Sequence, residues 1–229
     1  MLYLLIWFNE LPYRWLFKNK EYKMKVIVFG ATGLVGKQIV KESLKLGNEV
    51  TVYIRQTEFP IGGVKIISGD LDDEAKISAI IKDYDAIACT VANRDLEDPT
   101  QVLTPLVKLV TRHISQEQRL IVVAGSGLTL LNYNTLRRDL PGQPAFLRNP
   151  RADHWDAYTY LAAIDVNYLV VCPTMIVAGD YDGNYLFEEK YFPQSESKEI
   201  SAGNVGHYIA KELNEQNFKQ TRIGLVNKG

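Results

Sequence analysis

Only two cysteines and three histidines occur in this 229-residue chain, and neither set shows metal-ligand spacing, so no metal site is expected. Cys89 and Cys172 sit inside the apolar runs "AIACTV" and "LVVCPT", which reads as buried thiols in a reducing cytoplasm rather than a disulfide or a nucleophile. An excess of one charge is also missing: 26 Lys and Arg face 27 Asp and Glu, a formal net charge of -1. Nucleic-acid binding therefore has no electrostatic support. No apolar run approaches the roughly 20 residues that span a bilayer, so no membrane span is expected. Internal repeats, low-complexity tracts and a break in composition that would mark a second domain are absent too.

What is present is enough apolar material, 46% of residues, for one sizeable core. Residues 1–23, "MLYLLIWFNELPYRWLFKNKEYK", differ from the rest. Their short apolar run lacks the basic leader and A-x-A site of a secretory signal. Two readings stay open: an upstream extension ahead of a natural start at Met24, or an aromatic surface helix, which Pro12 weakens. From residue 24 to 229, β-branched runs alternate with helical stretches, the pattern of a single Rossmann-type α/β domain with a doubly wound parallel sheet. Strands are expected at 24–29, 49–55, 64–69, 85–91, 119–125 and 168–174. Helices are expected after Gly33, with Gly47 as the stop, and at 73–83 and 101–115. Residues 127–151 read as a long substrate loop, and 177–200 as a second, with a hairpin or lid. "SAGNVGHYIAKELNE" gives a last helix capped by Ser201, and "TRIGLVN" a last edge strand.

The stretch "VIVFGATGLVG" runs from a strand into a loop with Gly30, Gly33 and Gly36 and then opens a helix. In that context the three glycines serve, in order, a tight turn, close approach to a pyrophosphate, and close helix-to-strand packing. Ala31, Thr32, Leu34 and Val35 complete the loop, whose helix N-terminus offers N–H groups to phosphate. Ala31 and Gln38 exclude a P-loop. At the end of the second strand an NAD site wants an acid, yet "VTVYIRQT" supplies Arg55, a partner for a 2'-phosphate. The expected cofactor is therefore NADP (as NADPH). Asp70 and Leu71, in "SGDLDD", fall where the adenine edge would lie. "GDYDGN" starts like a calcium loop, but Tyr185 and Tyr191 stand where an EF-hand needs glycine and an acid.

The pieces "FGATGLVG", "VTVYIR", "SGDLDD", "ANRDLEDPT", "VVAGSG", "CPTMIVAG" and "ISAGNVGHYIAKEL" resemble the atypical short-chain dehydrogenase/reductases, in the branch with NmrA-like proteins and the biliverdin-IXβ (flavin) reductases. The resemblance covers nearly everything after Met24 and implies the same fold and cofactor class. It places Ala92, Asn93 and Arg94 beside the nicotinamide, with Ser126 and Pro173 near it and Met175 and Ile176 toward the substrate.

The chain also departs from that pattern. No tyrosine has lysine four residues on, so the usual Tyr-x-x-x-Lys proton relay is missing. Gly127 and Met175 stand where flavin-reductase-like members are expected to carry serine and histidine. The remaining candidates for proton transfer are Ser126, His154 and Tyr158, the last two sharing a helix face or merely covering the sheet. Two functions stay open on these residues. One is an NADPH-dependent oxidoreductase acting on a flat conjugated small molecule, with a flavin as a possible substrate. The other is a non-catalytic NADP-binding sensor or interaction module.

Overall fold

The computed structural model describes residues 23–229, so both readings of the amino-terminal extension lie outside the described residues. In chain order the elements are β1 (Lys25–Phe29), α1 (Leu34–Lys45), β2 (Glu49–Ile54), β3 (Lys65–Ser68), α2 (Glu74–Ile80), β4 (Ala86–Cys89) and α3 (Leu103–Thr111). Then follow β5 (Arg119–Val123), α4 (Arg148–Ala162), β6 (Tyr168–Pro173), β7 (Met175–Val177), β8 (Tyr185–Glu189), β9 (Glu199–Ser201), α5 (Ala202–Glu215) and β10 (Thr221–Asn227). The strands of the main sheet run in the order β3-β2-β1-β4-β5-β6-β10-β8. All neighbours in it are parallel except β10 and β8. This is a single Rossmann-like α/β domain. The order reverses between β1 and β4, and ligands bind outside the carboxyl ends of strands at such a switch point.

Alternation along the strands sorts the core into two layers. Val26, Val28, Val50, Val52, Leu169 and Val171 pack under α1 and α5, while Ile27, Phe29, Ile87, Leu120, Val122 and Val170 pack under α2, α3 and α4. Strands buried on both faces read as near-continuous apolar runs, which is why β1, β4, β5 and β6 stand out in the sequence. A charge is buried at the sheet's amino edge. Arg119, fully buried, donates to Asn167 Oδ1 at 2.8 Å and to the Phe218 carbonyl, and lies 3.5 Å from Glu212. That pairing ties β5 to the end of α5.

Three expectations need correction. The strand "TRIGLVN" is not an edge: β10 lies between β6 and β8, and β8 forms the edge. The region 177–200 is no hairpin either. Tyr185 and Phe187, two residues apart, both pack on Tyr208 of α5, with ring centroids 6.2 and 5.2 Å away, and this draws β8 onto β10. β7 and β9 meanwhile pair in parallel as a small second sheet. Finally, the long loop ends at residue 147, because α4 opens at Arg148. Pro150 sits in the first turn of that helix, where no intrahelical N–H is needed. Asp153 then sets where α3 begins. Its carboxylate accepts from the backbone N–H of Val102, Leu103 and Thr104 at 2.8–2.9 Å, and these bonds hold its pKa low despite burial.

Candidate functional site

At the end of β1 the chain turns at Gly30 with φ +81°, a conformation that side chains rarely adopt. A Cβ on Gly30 would lie 2.5 Å from the Thr90 carbonyl oxygen, and one on Gly36 would lie 2.2 Å from the Gly30 oxygen. The turn is closed by Gly33 N–H donating to that same oxygen at 3.0 Å. Ala31 and Val35 are buried, Thr32 is half-buried and Leu34 is exposed. The first turn of α1 has neither a side-chain cap nor an acidic residue. Two other helices are capped from within, Asp73 accepting from Lys76 N–H at α2 and Ser201 from Asn204 N–H at α5, and α3 is capped by Asp153, while α4, like α1, has no side-chain cap. The uncapped amides of α1 thus remain available to an anion.

Arg55, just after β2, is exposed, and its guanidinium has no acceptor among the described residues. Its carbonyl is in use, accepting from Ser68 Oγ at 3.1 Å and fixing the end of β3 beside it. Asp70 is exposed and Leu71 packs against the core. The turn that carries them is held by Tyr53, whose hydroxyl donates to the Asp70 carbonyl at 2.9 Å and whose pKa is pushed up to about 12 by burial. The alternating strand "VTVYIR" places Tyr53 on the inner face, but its role there could not be read from spacing.

Beyond β4, Ala92 and Arg94 are exposed and Asn93 is half-buried. The Asn93 side chain is engaged in its own loop, donating to Asp98 Oδ2 at 3.0 Å and accepting from Asp95 N–H at 3.1 Å. Asn149, in the first turn of α4, donates to the carbonyls of Leu96 and Glu97 and so binds this loop to that helix.

On the other side of the crevice, Ser126 is half-buried and opens a single 3-10 turn, Ser126–Leu128, after β5. His154 of α4 lies against the preceding residue: a Cβ on Gly125 would be 3.3 Å from His154 Nδ1. Burial pushes the imidazole down to about 4, against a smaller opposing pull from Asp153, so at neutral pH it is uncharged. Tyr158, one turn further on, faces β10: Arg222 Nη1 donates to its hydroxyl, and the guanidinium lies 4.8 Å from the ring centroid. Ser126 and His154 therefore come together around Gly125, and Tyr158 is turned away toward Arg222. Pro173 is buried at the end of β6, Met175 is 63% exposed, and half-buried Ile176 pairs with Ile200. The segment after β7 is pinned to α1 and α5, with Lys41 Nζ 2.7 Å from Asp180 and Asn204 Nδ2 donating to Asp182 at 2.8 Å.

The loop 127–147 and the start of α4 bring arginines to the same region. Arg138 and Arg151 line a small pocket with Gly125, Gly127, Leu128 and His154. The arginine content of the loop was the only sign of this in the sequence, since nothing in their spacing marks the pair.

Residues 30–216 match a family described as NAD(P)H-binding. A protein of Streptococcus pneumoniae TIGR4, provisionally described as an NADH-flavin reductase, superposes with a TM-score of 0.81 at 25% identity, covering 90% of this chain and 100% of that one. The anaerobillin reductase ChuY of Escherichia coli O157:H7 shares the fold, with a TM-score of 0.72 at 16% identity over 89% of this chain and 97% of its own. Phenylcoumaran benzylic ether reductase IRL1 of Ginkgo biloba is 27% identical over 101 residues, 39% of this chain and 33% of that protein. This chain thus spans about a third of the length of the curated relatives it matches. Among the described residues, no helix is long and apolar enough to cross a membrane.

Proposed function

Because the chain belongs to the NAD(P)H-binding family, matched over residues 30–216, we propose that it is an NADPH-dependent reductase of a flat, conjugated small molecule of the flavin or quinone class. The observation that carries this reading is the uncapped start of α1 behind the Gly30 turn, with the Arg55 guanidinium, unpartnered among the described residues, beyond it. The residues fit the dinucleotide. Leu34, Val35 and Gly36 leave amides, and no carboxylate in the first turn repels a diphosphate. Arg55 takes the 2'-phosphate, and Asp70 with Leu71 borders the adenine.

NADPH, when bound, supplies the hydride. The chain's own part is to bind and orient. Ala92, Asn93 and Arg94 flank the nicotinamide on one side and Ser126 and Pro173 on the other, with Met175 and Ile176 toward the substrate. Ser126 Oγ and the neutral imidazole of His154 hold the substrate by hydrogen bonds. Stacking two conjugated rings is a demand on position rather than on acid strength, and the proton that follows comes from solvent. The solved S. pneumoniae relative, similar over its full length, supports a flavin as the acceptor.

A second reading, an NADP-binding sensor without turnover, is favoured by one observation: His154 is held neutral and Tyr158 is engaged by Arg222, so neither offers a ready acid. An NADPH oxidation assay against FMN, riboflavin, quinones and simple carbonyls separates the two. Turnover with any of them removes the sensor reading. NADP binding without oxidation across the panel overturns the reductase.

A further inference from the structure

The main sheet has two edges, and they are not alike. β3 is four residues long and starts on Lys65, a short charged edge of the kind that resists pairing. β8 is a five-residue strand with Phe187 at its centre. Phe187 touches two rings of its own chain, Tyr208 at 5.2 Å and Phe218 at 6.0 Å between centroids, yet it is 49% exposed. Tyr185, on the same face, lies 6.2 Å from Tyr208. The outermost strand thus carries an aromatic stripe.

The hydrogen bonds to β10 fix which way each β8 residue turns its backbone. Lys190 N–H donates to the Arg222 carbonyl at 2.8 Å, and Lys228 N–H donates to the Asn184 carbonyl at 3.2 Å, at the two ends of the ladder. By alternation Leu186 and Glu188 also turn their amides and carbonyls toward β10, and Tyr185, Phe187 and Glu189 turn theirs outward. No strand lies beyond β8 among the described residues. At Lys190 the backbone takes φ +66° and the strand ends, which confines the free row to those three residues.

Such a row can take an antiparallel copy of itself across a two-fold axis, provided that outward residues meet outward residues and like charges stay apart. Centred on Phe187, the pairing uses all three: Phe187 meets Phe187 of the partner subunit, and Glu189 meets Tyr185 of the partner subunit. On the other face Leu186 stands opposite Glu188 of the partner subunit. Sliding toward the carboxyl end sets Glu188 or Glu189 directly against its own copy. Sliding the other way runs off the start of the strand at Tyr185. The charges and length of β8 therefore favour one register.

We propose that β8 is the contact between two copies of this chain, joined antiparallel at Phe187 so that their main sheets continue into one. About six main-chain hydrogen bonds form across the axis. The exposed flank of each Phe187 is covered by its counterpart.

Sedimentation of the full chain over a concentration series tests this, together with amide hydrogen exchange read by NMR. The expected result is a monomer–dimer equilibrium in which exchange at Tyr185, Phe187 and Glu189 slows as the dimer forms. Glu189→Pro removes an outward amide and sets a ring in the path of the second strand while leaving the ladder to β10 intact, and should weaken the dimer by on the order of tenfold or more. Phe187→Glu sets like charges face to face at the axis and should weaken it at least as much. Thermal unfolding reports whether each variant keeps its fold, and if neither does, the exchange series on the unaltered chain decides alone. A chain that stays monomeric up to about 0.5 mM overturns the proposal. So does a dimer that the folded variants leave unchanged. Protection of the three amides that is equal at every concentration gives the edge to another part of the same chain, protection that appears only with an added protein gives it to a different partner, and either overturns the second copy.

Discussion

Between β1 and α1 the crevice is lined by main-chain amides and glycines that admit no Cβ, whereas between β5 and α4 it is lined by arginines and a histidine. In the proposed function the first wall meets a part common to every dinucleotide, which suits a wall made of the group common to every residue. In the same proposal the second faces the substrate, which suits a wall of side chains that other chains are free to change. Their rigidity has different sources as well. The glycine turn is fixed by close backbone packing that leaves no room for a Cβ and by the Gly33 N–H bond to the Gly30 carbonyl, and the arginine loop by hydrogen bonds such as those from Arg151 to three acceptors.

The contrast is broken most directly at Gly36. Gly36→Val would force side-chain carbons onto the Gly30 carbonyl and the Ala31 Cα, neither of which can yield, and is expected to cost more than about 3 kcal/mol along with NADP binding. Urea unfolding and calorimetry check both; a native-like midpoint with intact binding would mean that the turn is softer than its contacts indicate. Next in size is Arg55→Glu. It should weaken NADP by roughly 100-fold and NAD by no more than about threefold. An unchanged NADP to NAD ratio would take Arg55 out of the site.

The side-chain wall is sharpened by pH. His154 sits at about 4 in the folded chain against 6.5 as its ordinary value, so the unfolded chain binds the extra proton more readily. Its stabilising contribution is whole above pH 6.5 and falls away as pH drops toward 4. From pH 7 to pH 5 the loss is about 2 kcal/mol, and His154→Leu should flatten that part of the stability profile. A variant that follows the same slope as the unaltered chain would show that another group titrates there. The smallest effect is expected at Tyr158. Tyr158→Phe removes the acceptor of Arg222 and should lower stability by about 1 kcal/mol while leaving NADPH turnover unchanged. A sharp loss of turnover at native stability would return Tyr158 to the chemistry.

How legible each wall is in the sequence follows from the same contrast. Backbone requirements leave glycines at fixed intervals, and strands covered on both faces leave apolar runs, so the turn at Gly30 and the positions of the first six main-sheet strands along the chain could be anticipated. Arg55 could be placed because a strand end fixes its distance from the turn. Arg138 over Trp155 joins a loop to a helix through a contact that no periodicity encodes. The interior position of β10 was equally hidden, since it depends on Tyr185 and Phe187 finding Tyr208 across the fold. His154 was visible as a candidate, but its burial, and with it its neutral state, was not.

The place of β10 has a consequence for how the protein is made. The seventh strand across the sheet is the last of these strands to leave the ribosome, and the eighth, β8, emerges before it with nothing to pair with. Until β10 emerges, β6 and β8 each show a bare row of amides and carbonyls to the cell, and that strand must slip between them like a key into a waiting slot.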